Sequence, residues 1–172
     1  SSDVCSSDLG EGDVQWMTAA SGLLHKEYHE ESFSKTGGAF QMVQIWVNLP
    51  AKHKMDPPAY QEITNAKMGK YVLPEQQGTV EVIAGNFKGV AGPASTFTPI
   101  EMYNLKLKSG AILGFELPAH FNTALLVIEG SASMNGTMVP TDHFVLFQHD
   151  GEEIMVEANQ DASILVLSGD PI

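Results

Sequence analysis

The chain has one cysteine, few basic residues and no apolar run long enough to cross a bilayer. Because Cys5 is alone, no disulfide can form within the chain, which fits a reducing compartment. The lack of a membrane-length apolar run and of a secretory leader makes the cytoplasm the predicted location. These absences, with 43% hydrophobic residues, leave a globular protein as the expected class.

Basic residues are scarce beside acidic ones: 9 Lys and Arg stand against 21 Asp and Glu, for a formal net charge of −12. Nucleic-acid backbones and anionic membrane surfaces are bound through Lys and Arg, so direct binding to either is not expected. The charges are scattered along the chain, which favours a solvated acidic surface. The acidic charge suits a protein partner better than DNA.

Both ends of the sequence look foreign or cut. Residues 1–9 are rich in Ser and Asp, lack an initiator Met and resemble a translated sequencing adapter. We exclude this leader from the fold and give Cys5 no role. The chain then enters directly on the turn signal Gly12-Asp13 and stops just after a predicted strand, so we expect a fragment of a longer protein.

Strand-forming patterns dominate the sequence. Before residue 50 they cover residues 13–17, 23–28 and 40–49, the last with apolar side chains at both parities, as in a strand covered on both faces. From residue 79 onward, β-prone runs separated by turn signals predict strands over 79–84, 101–107, 112–117, 123–129, 131–134, 137–139, 143–148, 153–157 and 163–167. Asn135-Gly136 predicts a type I′ hairpin between two of them. Many short strands without intervening helices indicate a sandwich or barrel.

Residues 51–78 lack this pattern of short strands and turns. They are polar and marked by prolines, and they permit a helical turn near residues 58–63. We interpret residues 56–74 as a linker between a partial N-terminal barrel over 10–55 and a C-terminal barrel over 75–172. Residues 85–99 are predicted to form an irregular loop within the second barrel.

The most informative residues for chemistry are His25, Glu27 and His29. If this segment is a strand, alternate side chains share a face, and two imidazoles and a carboxylate point the same way. Such donors suit Fe(II), Mn(II), Ni(II) or Zn(II). The spacing alone is more typical of a strand with a solvated polar face than of a metal site, and a complete metal site needs at least one more ligand.

The sequence around these residues resembles the pirin family. Gly12-Asp-Val-Gln-Trp-Met-Thr-Ala followed by Ser21-Gly-Leu-Leu-His-Lys-Glu27 is similar to the second cupin motif of pirins. Similar segments recur at Gln44-Ile-Trp-Val-Asn-Leu-Pro50, at 115–130 and at Leu167-Ser-Gly-Asp-Pro171. The resemblance implies an all-β bicupin, two jelly-roll barrels in one chain, of which the first is incomplete here.

Pirins hold a metal only in their first barrel, and the resemblance implies an iron site of three histidines and one glutamate. Two of its ligands carry over to His25 and Glu27, whereas His29 has no ligand role in the pattern. The other two belong to an upstream His-Pro-His-type motif that this sequence does not contain. His120 in the second barrel lacks a His-x-His partner and an acidic partner, so no metal site is expected there.

The resemblance also implies an activity: oxygen-dependent cleavage of a flavonol such as quercetin by a parent protein. Fe(II) or another divalent transition metal would act as Lewis acid and template. Glu27 would be both metal ligand and catalytic proton acceptor, with His25 a plain ligand. The alternative is a non-catalytic, iron-binding regulatory module that binds a protein partner; a different cupin enzyme, such as a sugar isomerase, ranks last. For this chain alone, with two ligands, we expect weak metal binding and little or no activity.

Overall fold

The structure is a computed structural model that describes residues 9–25 and 31–172, and strands make up most of its regular structure. The chain divides into one unit that runs up to Lys67, with Ile172 grouped with it, and a second unit from Met68 to Pro171. No helix among the described residues is long and apolar enough to span a membrane.

Over residues 9–25 and 31–67, the first unit contains one antiparallel pair, β1 (Val14–Thr18) with β2 (Ala59–Ile63), in which Trp16 lies opposite Gln61. Strand β1 confirms the strand predicted over residues 13–17. Asp13 fixes the start of this pair, because its Oδ1 accepts a hydrogen bond from the backbone N–H of Asn65 at 2.7 Å. The other regular structure in the described part of this unit is helix α1 (Glu31–Thr36) and 3₁₀ turns at Ala51–His53 and Asn65–Lys67.

Two other strands predicted in this unit do not appear among the residues that the structure describes. Residues 40–49 form neither helix nor strand, and residues 41–48 are all exposed. Residues 23–25 also lie outside any strand, and residues 26–28 fall outside the described part of the chain. The physical reason is pairing: a strand exists only beside another strand, and the described residues place none alongside either segment.

The segment interpreted as a linker is not without structure. The helical turn predicted near residues 58–63 is wrong, because residues 59–63 pair along their length with β1 as strand β2. Residues 69–72 form strand β3 (Gly69–Val72) of the second unit. Long-range pairing therefore overrides the local proline signal. The predicted domain boundaries themselves stay a prediction.

The second unit has twelve strands, and all nine strands predicted for it are confirmed within a few residues at each end. They are β3, β4 (Gly78–Ala84), β5 (Asn86–Phe87), β6 (Val90–Ala91), β7 (Ile100–Leu107), β8 (Ile112–Glu116), β9 (Asn122–Glu129), β10 (Ser131–Met134), β11 (Thr137–Pro140), β12 (Phe144–Leu146), β13 (Glu153–Ala158) and β14 (Ala162–Gly169). The residues predicted as an irregular loop, 85–99, are irregular except for the short β5–β6 hairpin.

Two sheets enclose the core of this unit. One has four strands in the order β11-β10-β13-β8, and the other has six in the order β12-β9-β14-β7-β4-β3. Side chains alternate between the core and solvent, as strand geometry requires: in β13, Ile154 and Val156 are buried whereas Met155 and Glu157 are exposed. The core thus lies between two facing antiparallel sheets, as in a jelly roll.

Two tight turns shape this unit. Asn135 and Gly136 have φ of 47° and 81° between the paired residues Met134 and Thr137, which confirms the predicted type I′ hairpin. Lys88 and Gly89 repeat the arrangement between β5 and β6, with φ of 47° and 88°. Lysine rarely occupies this left-handed position.

Candidate metal centre

The segment that carries the predicted metal ligands follows β1 through a tight turn. Ala20 adopts a left-handed φ of 43°, and the N–H of Gly22 donates to the carbonyl of Ala19 at 2.7 Å. The N–H of Ser21 donates to the carbonyl of Asp56 at 3.1 Å, which ties the turn to the chain after the 3₁₀ turn at Ala51–His53. His25 lies just beyond this turn, with its side chain exposed.

Only His25 of the three predicted residues can be placed. Glu27 and His29 lie outside the described residues, so the expected sharing of one face by His25 and Glu27 stays a prediction. Within residues 9–25 and 31–172, no three His, Cys, Asp or Glu side chains come together as a metal-binding group.

The other histidines have separate surroundings. His53 contacts the Asp56 carboxylate through Nδ1 at 2.7 Å, and His120 lies 3.6 Å from Asp170 while contacting the ring of Phe121. His143 Nδ1 lies 2.9 Å from the carbonyl of Thr141. No two of these three histidines share a partner in these contacts.

The interior of the second barrel is filled by hydrocarbon and aromatic side chains. Phe87 is buried and makes edge-to-face contacts with Tyr71, Tyr103 and Phe115 at centroid distances of 5.4, 5.2 and 5.8 Å. Across the described residues, the buried polar side chains are Glu81, Thr123 and Ser168. A core of this chemistry offers packing rather than metal ligands.

One buried hydroxyl has a polar network that the sequence did not reveal. The Tyr103 hydroxyl donates to the Glu101 carboxylate, whose Oε2 also accepts the backbone N–H of Asn86 at 2.8 Å. Burial, and then the neighbouring Glu101 carboxylate, raise the pKa of Tyr103 well above its usual value. Tyr103 is therefore a neutral hydrogen-bond donor that fixes the β5 end of the barrel.

A cavity of about 590 Å³ opens beside this network. Aromatic and polar groups line it, from β5, β7, β8 and β13 and from the β5–β6 and β10–β11 turns: Asn86, Phe87, Lys88, Tyr103, Gly114, Phe115, Glu116, Asn135, Glu153, Ile154 and Met155. Lys88 Nζ donates to the carbonyl of Gly114 at 3.2 Å and lies 5.6 and 5.5 Å from the ring centroids of Tyr71 and Phe87. No local pattern in the sequence marks Lys88, because its contacts with Gly114 and Tyr71 join residues that are distant in the chain.

Comparison with protein families identifies both parts of the chain. The family model described as "Pirin" matches residues 3–47, and the model described as "Pirin C-terminal cupin domain" matches residues 102–172. Both matches agree with the resemblance found at the quoted motifs, and the second places the cupin fold on the second unit.

Curated relatives carry two kinds of name. A protein of Pseudomonas aeruginosa named "Putative quercetin 2,3-dioxygenase PA2418" is 43% identical over 95% of this chain and 57% of its own length. "Pirin-1" of Arabidopsis thaliana is 31% identical over 94% of this chain and 55% of its own length. The chain thus spans a little over half the length of these relatives.

Solved structures support the same assignment. The crystal structure of quercetin 2,3-dioxygenase from Acinetobacter baumannii matches 95% of this chain and 57% of its own, with a TM-score of 0.90 and 36% identity. A bacterial pirin from Escherichia coli, solved in complex with nickel(II), matches 69% of the chain with a TM-score of 0.53 and 19% identity, which supports the fold alone. The predicted all-β cupin fold is therefore confirmed, and the chain belongs to the pirin family.

Proposed function

We propose that this chain is part of a pirin-type, metal-dependent dioxygenase that cleaves flavonols such as quercetin. The observation that carries the proposal is the similarity, over 95% of the chain, to proteins whose names state that activity. Because the chain spans 57% of either protein, the proposal concerns the longer protein to which these residues would belong.

His25 and Glu27 would supply two ligands to the metal in this proposal. An imidazole nitrogen and a carboxylate are suitable donors for Fe(II) and for other divalent transition metals, nickel included. His25 lies exposed just beyond the turn that follows β1. When bound, such an ion would supply Lewis acidity toward the substrate's enol oxygen.

The chain's own residues would do the rest. His25 would hold the ion through one ring nitrogen, and a hydrogen bond to its other nitrogen would fix the orientation of the ring. Glu27, besides binding the ion, would accept the proton of the enol at a carboxylate oxygen. The role of His29 would be that of a polar neighbour only.

The first test uses this chain as it stands. After loading with Fe(II) and dialysis, elemental analysis should find well under one metal per chain, since two protein ligands leave most coordination positions to water. Stoichiometric, tightly held iron would contradict the proposed ligand set.

The second test uses a longer chain from the same gene, assayed for quercetin consumption under oxygen with added Fe(II). The His25→Ala and Glu27→Gln variants should lose both metal and turnover, whereas the matched His29→Ala variant should retain them. Metal binding with no turnover, together with iron-dependent binding of a protein partner, would instead support the regulatory module. Full activity of Glu27→Gln would reject the role given to that residue.

A further inference from the structure

The chain contains a single Asn-Gly pair, Asn135-Gly136, and the structure places it at an exposed two-residue turn. Asn-Gly pairs are prone to deamidation because the backbone nitrogen of the glycine can reach the preceding side-chain amide with little steric hindrance. At Gly136 the position a Cβ would occupy has no atom within 4 Å outside its chain neighbours, so the surroundings add no obstacle.

The chemistry requires only water. The Gly136 nitrogen loses its proton to solvent and forms a bond to Cγ of Asn135, the Cγ–Nδ2 bond breaks, and ammonia leaves. Water then opens the five-membered imide at either carbonyl, and the product is aspartate or isoaspartate. The net change is one water consumed and one ammonia released, with no oxidant or reductant.

The fold restrains the reacting amide on both of its atoms. Asn135 Oδ1 accepts the N–H of Met155 at 2.8 Å, and Nδ2 donates to the carbonyl of Glu153 at 3.3 Å. The backbone N–H of Asn135 also donates to the carbonyl of Met155 at 2.9 Å. These contacts extend the β10–β13 pairing by one residue, beyond the pair Met134 and Val156. Attack by Gly136 requires the amide to rotate away from β13, which breaks both side-chain hydrogen bonds.

We propose that Asn135 is a latent deamidation site, held unreactive by β13 in the folded second unit and modified only when the β10–β11 hairpin opens. Reaction at this site then proceeds at the rate of the exposed chain multiplied by the fraction of time that the hairpin is open.

Deamidation of Asn135 is irreversible, and its products would also prevent the hairpin from regaining its original structure. A carboxylate at position 135 has no N–H to donate to the Glu153 carbonyl. Isoaspartate also adds a methylene to the backbone of a turn that pairs Met134 directly with Thr137. A two-residue loop cannot absorb that extra length without losing its register. A modified residue at position 135 therefore shows that the β10–β11 hairpin of that molecule has opened.

The Asp150→Asn variant supplies an internal control. Asp150 and Gly151 lie in an exposed loop, and the side chain of Asp150 makes no hydrogen bond to any described residue. The variant thus carries a second Asn-Gly pair in the same molecule without the restraint from β13. Peptide mapping by mass spectrometry would follow both positions during incubation in buffer and in urea.

In buffer, position 150 should convert at the rate it shows in urea, while Asn135 should convert at least about tenfold more slowly than in urea, as a mostly closed hairpin requires. In urea the two positions should react at similar rates. Conversion of Asn135 in buffer at its urea rate would overturn the proposal, and so would equal slowing at position 150.

A second measurement separates opening of the hairpin from unfolding of the unit. Below the unfolding transition, the Asn135 rate should rise with urea in parallel with hydrogen exchange of the Met155 amide, which is the donor to Oδ1. A deamidation rate that rises while this amide stays protected would show that β13 does not hold the site.

Discussion

At Lys88, the stabilisation of the second unit by the side chain can be measured separately from the energetic cost of its backbone conformation. Lys88 has a left-handed φ of 47°, where a residue with a Cβ loses about 1 kcal/mol. In return, its ammonium donates to the Gly114 carbonyl on the edge strand β8 and lies over two aromatic rings. The hydrogen bond contributes about 0.5–1.5 kcal/mol, and cation–π contact at an exposed site contributes about 0.5–1 kcal/mol.

Two substitutions distinguish these terms. Lys88→Met keeps the strained conformation and an aliphatic side chain but removes the charge, so the second unit should lose about 1.5 kcal/mol. Lys88→Asn removes the same contacts but places a residue that tolerates the left-handed region, which should recover about 1 kcal/mol of that loss. The expected order of stability is wild type, then Lys88→Asn, then Lys88→Met.

The assay must report on the second unit alone. Both tryptophans lie before residue 68, so their fluorescence reports on the first unit. Hydrogen exchange of the core amides of β4, β7 and β14 reports the free energy of opening of the second unit directly. Equal protection in the wild type and Lys88→Met would refute the role of the ammonium. Lys88→Asn less stable than Lys88→Met would refute the strain argument.

Three further changes probe other contacts. Tyr103→Phe should destabilise the second unit by about 1–2 kcal/mol, because a buried hydrogen bond is lost. The pKa of Tyr103 is higher in the folded than in the unfolded protein, so its contribution to stability is complete below the unfolded pKa near 10 and is lost as the pH rises above it. In urea unfolding at alkaline pH, the free energy of unfolding of Tyr103→Phe should therefore fall less steeply with pH than that of the wild type. Hydrogen bonding to Lys108 lowers the pKa of Asp161, so this contact stabilises the folded protein above the unfolded pKa of about 3.9 and is lost as the pH falls. Asp161→Asn should remove this dependence of the free energy of unfolding on acid pH. An unchanged dependence on acid pH in the variant would contradict the prediction. Gly69→Ala should lower the free energy of unfolding by about 1–3 kcal/mol in the same assay, because a Cβ at this position overlaps the Ala91 carbonyl. If the variant were as stable as the wild type, strand β6 would have to shift without cost.

The second unit was largely predictable from the sequence because its strands alternate in burial and are bounded by turn residues. In β13, the sequence Glu-Ile-Met-Val-Glu-Ala places every second side chain in the core, as periodicity alone predicts. Asn135-Gly136 predicted its hairpin because its two residues favour the required conformation. Local chemistry was sufficient in both cases.

The first unit was less predictable because its strands depend on distant partners. Residues 40–49 have strong β propensity, yet they form no strand where the described residues provide no neighbour. Residues 59–63 lack a strong local signal and become a strand through pairing with β1. The candidate site shows the same division: His25 and Glu27 follow from a sequence motif, whereas Lys88 and the Tyr103 network depend on contacts that no local pattern encodes.

The exposed segment at residues 40–49 has an optical consequence. Trp46 is 91% exposed there, so its indole should emit at the long wavelengths typical of a hydrated ring and be readily quenched by iodide or acrylamide. Any polypeptide that pairs with this segment would dehydrate the ring and shift its emission to the blue. The emission wavelength of Trp46 thus reports when this exposed apolar segment becomes covered by another polypeptide.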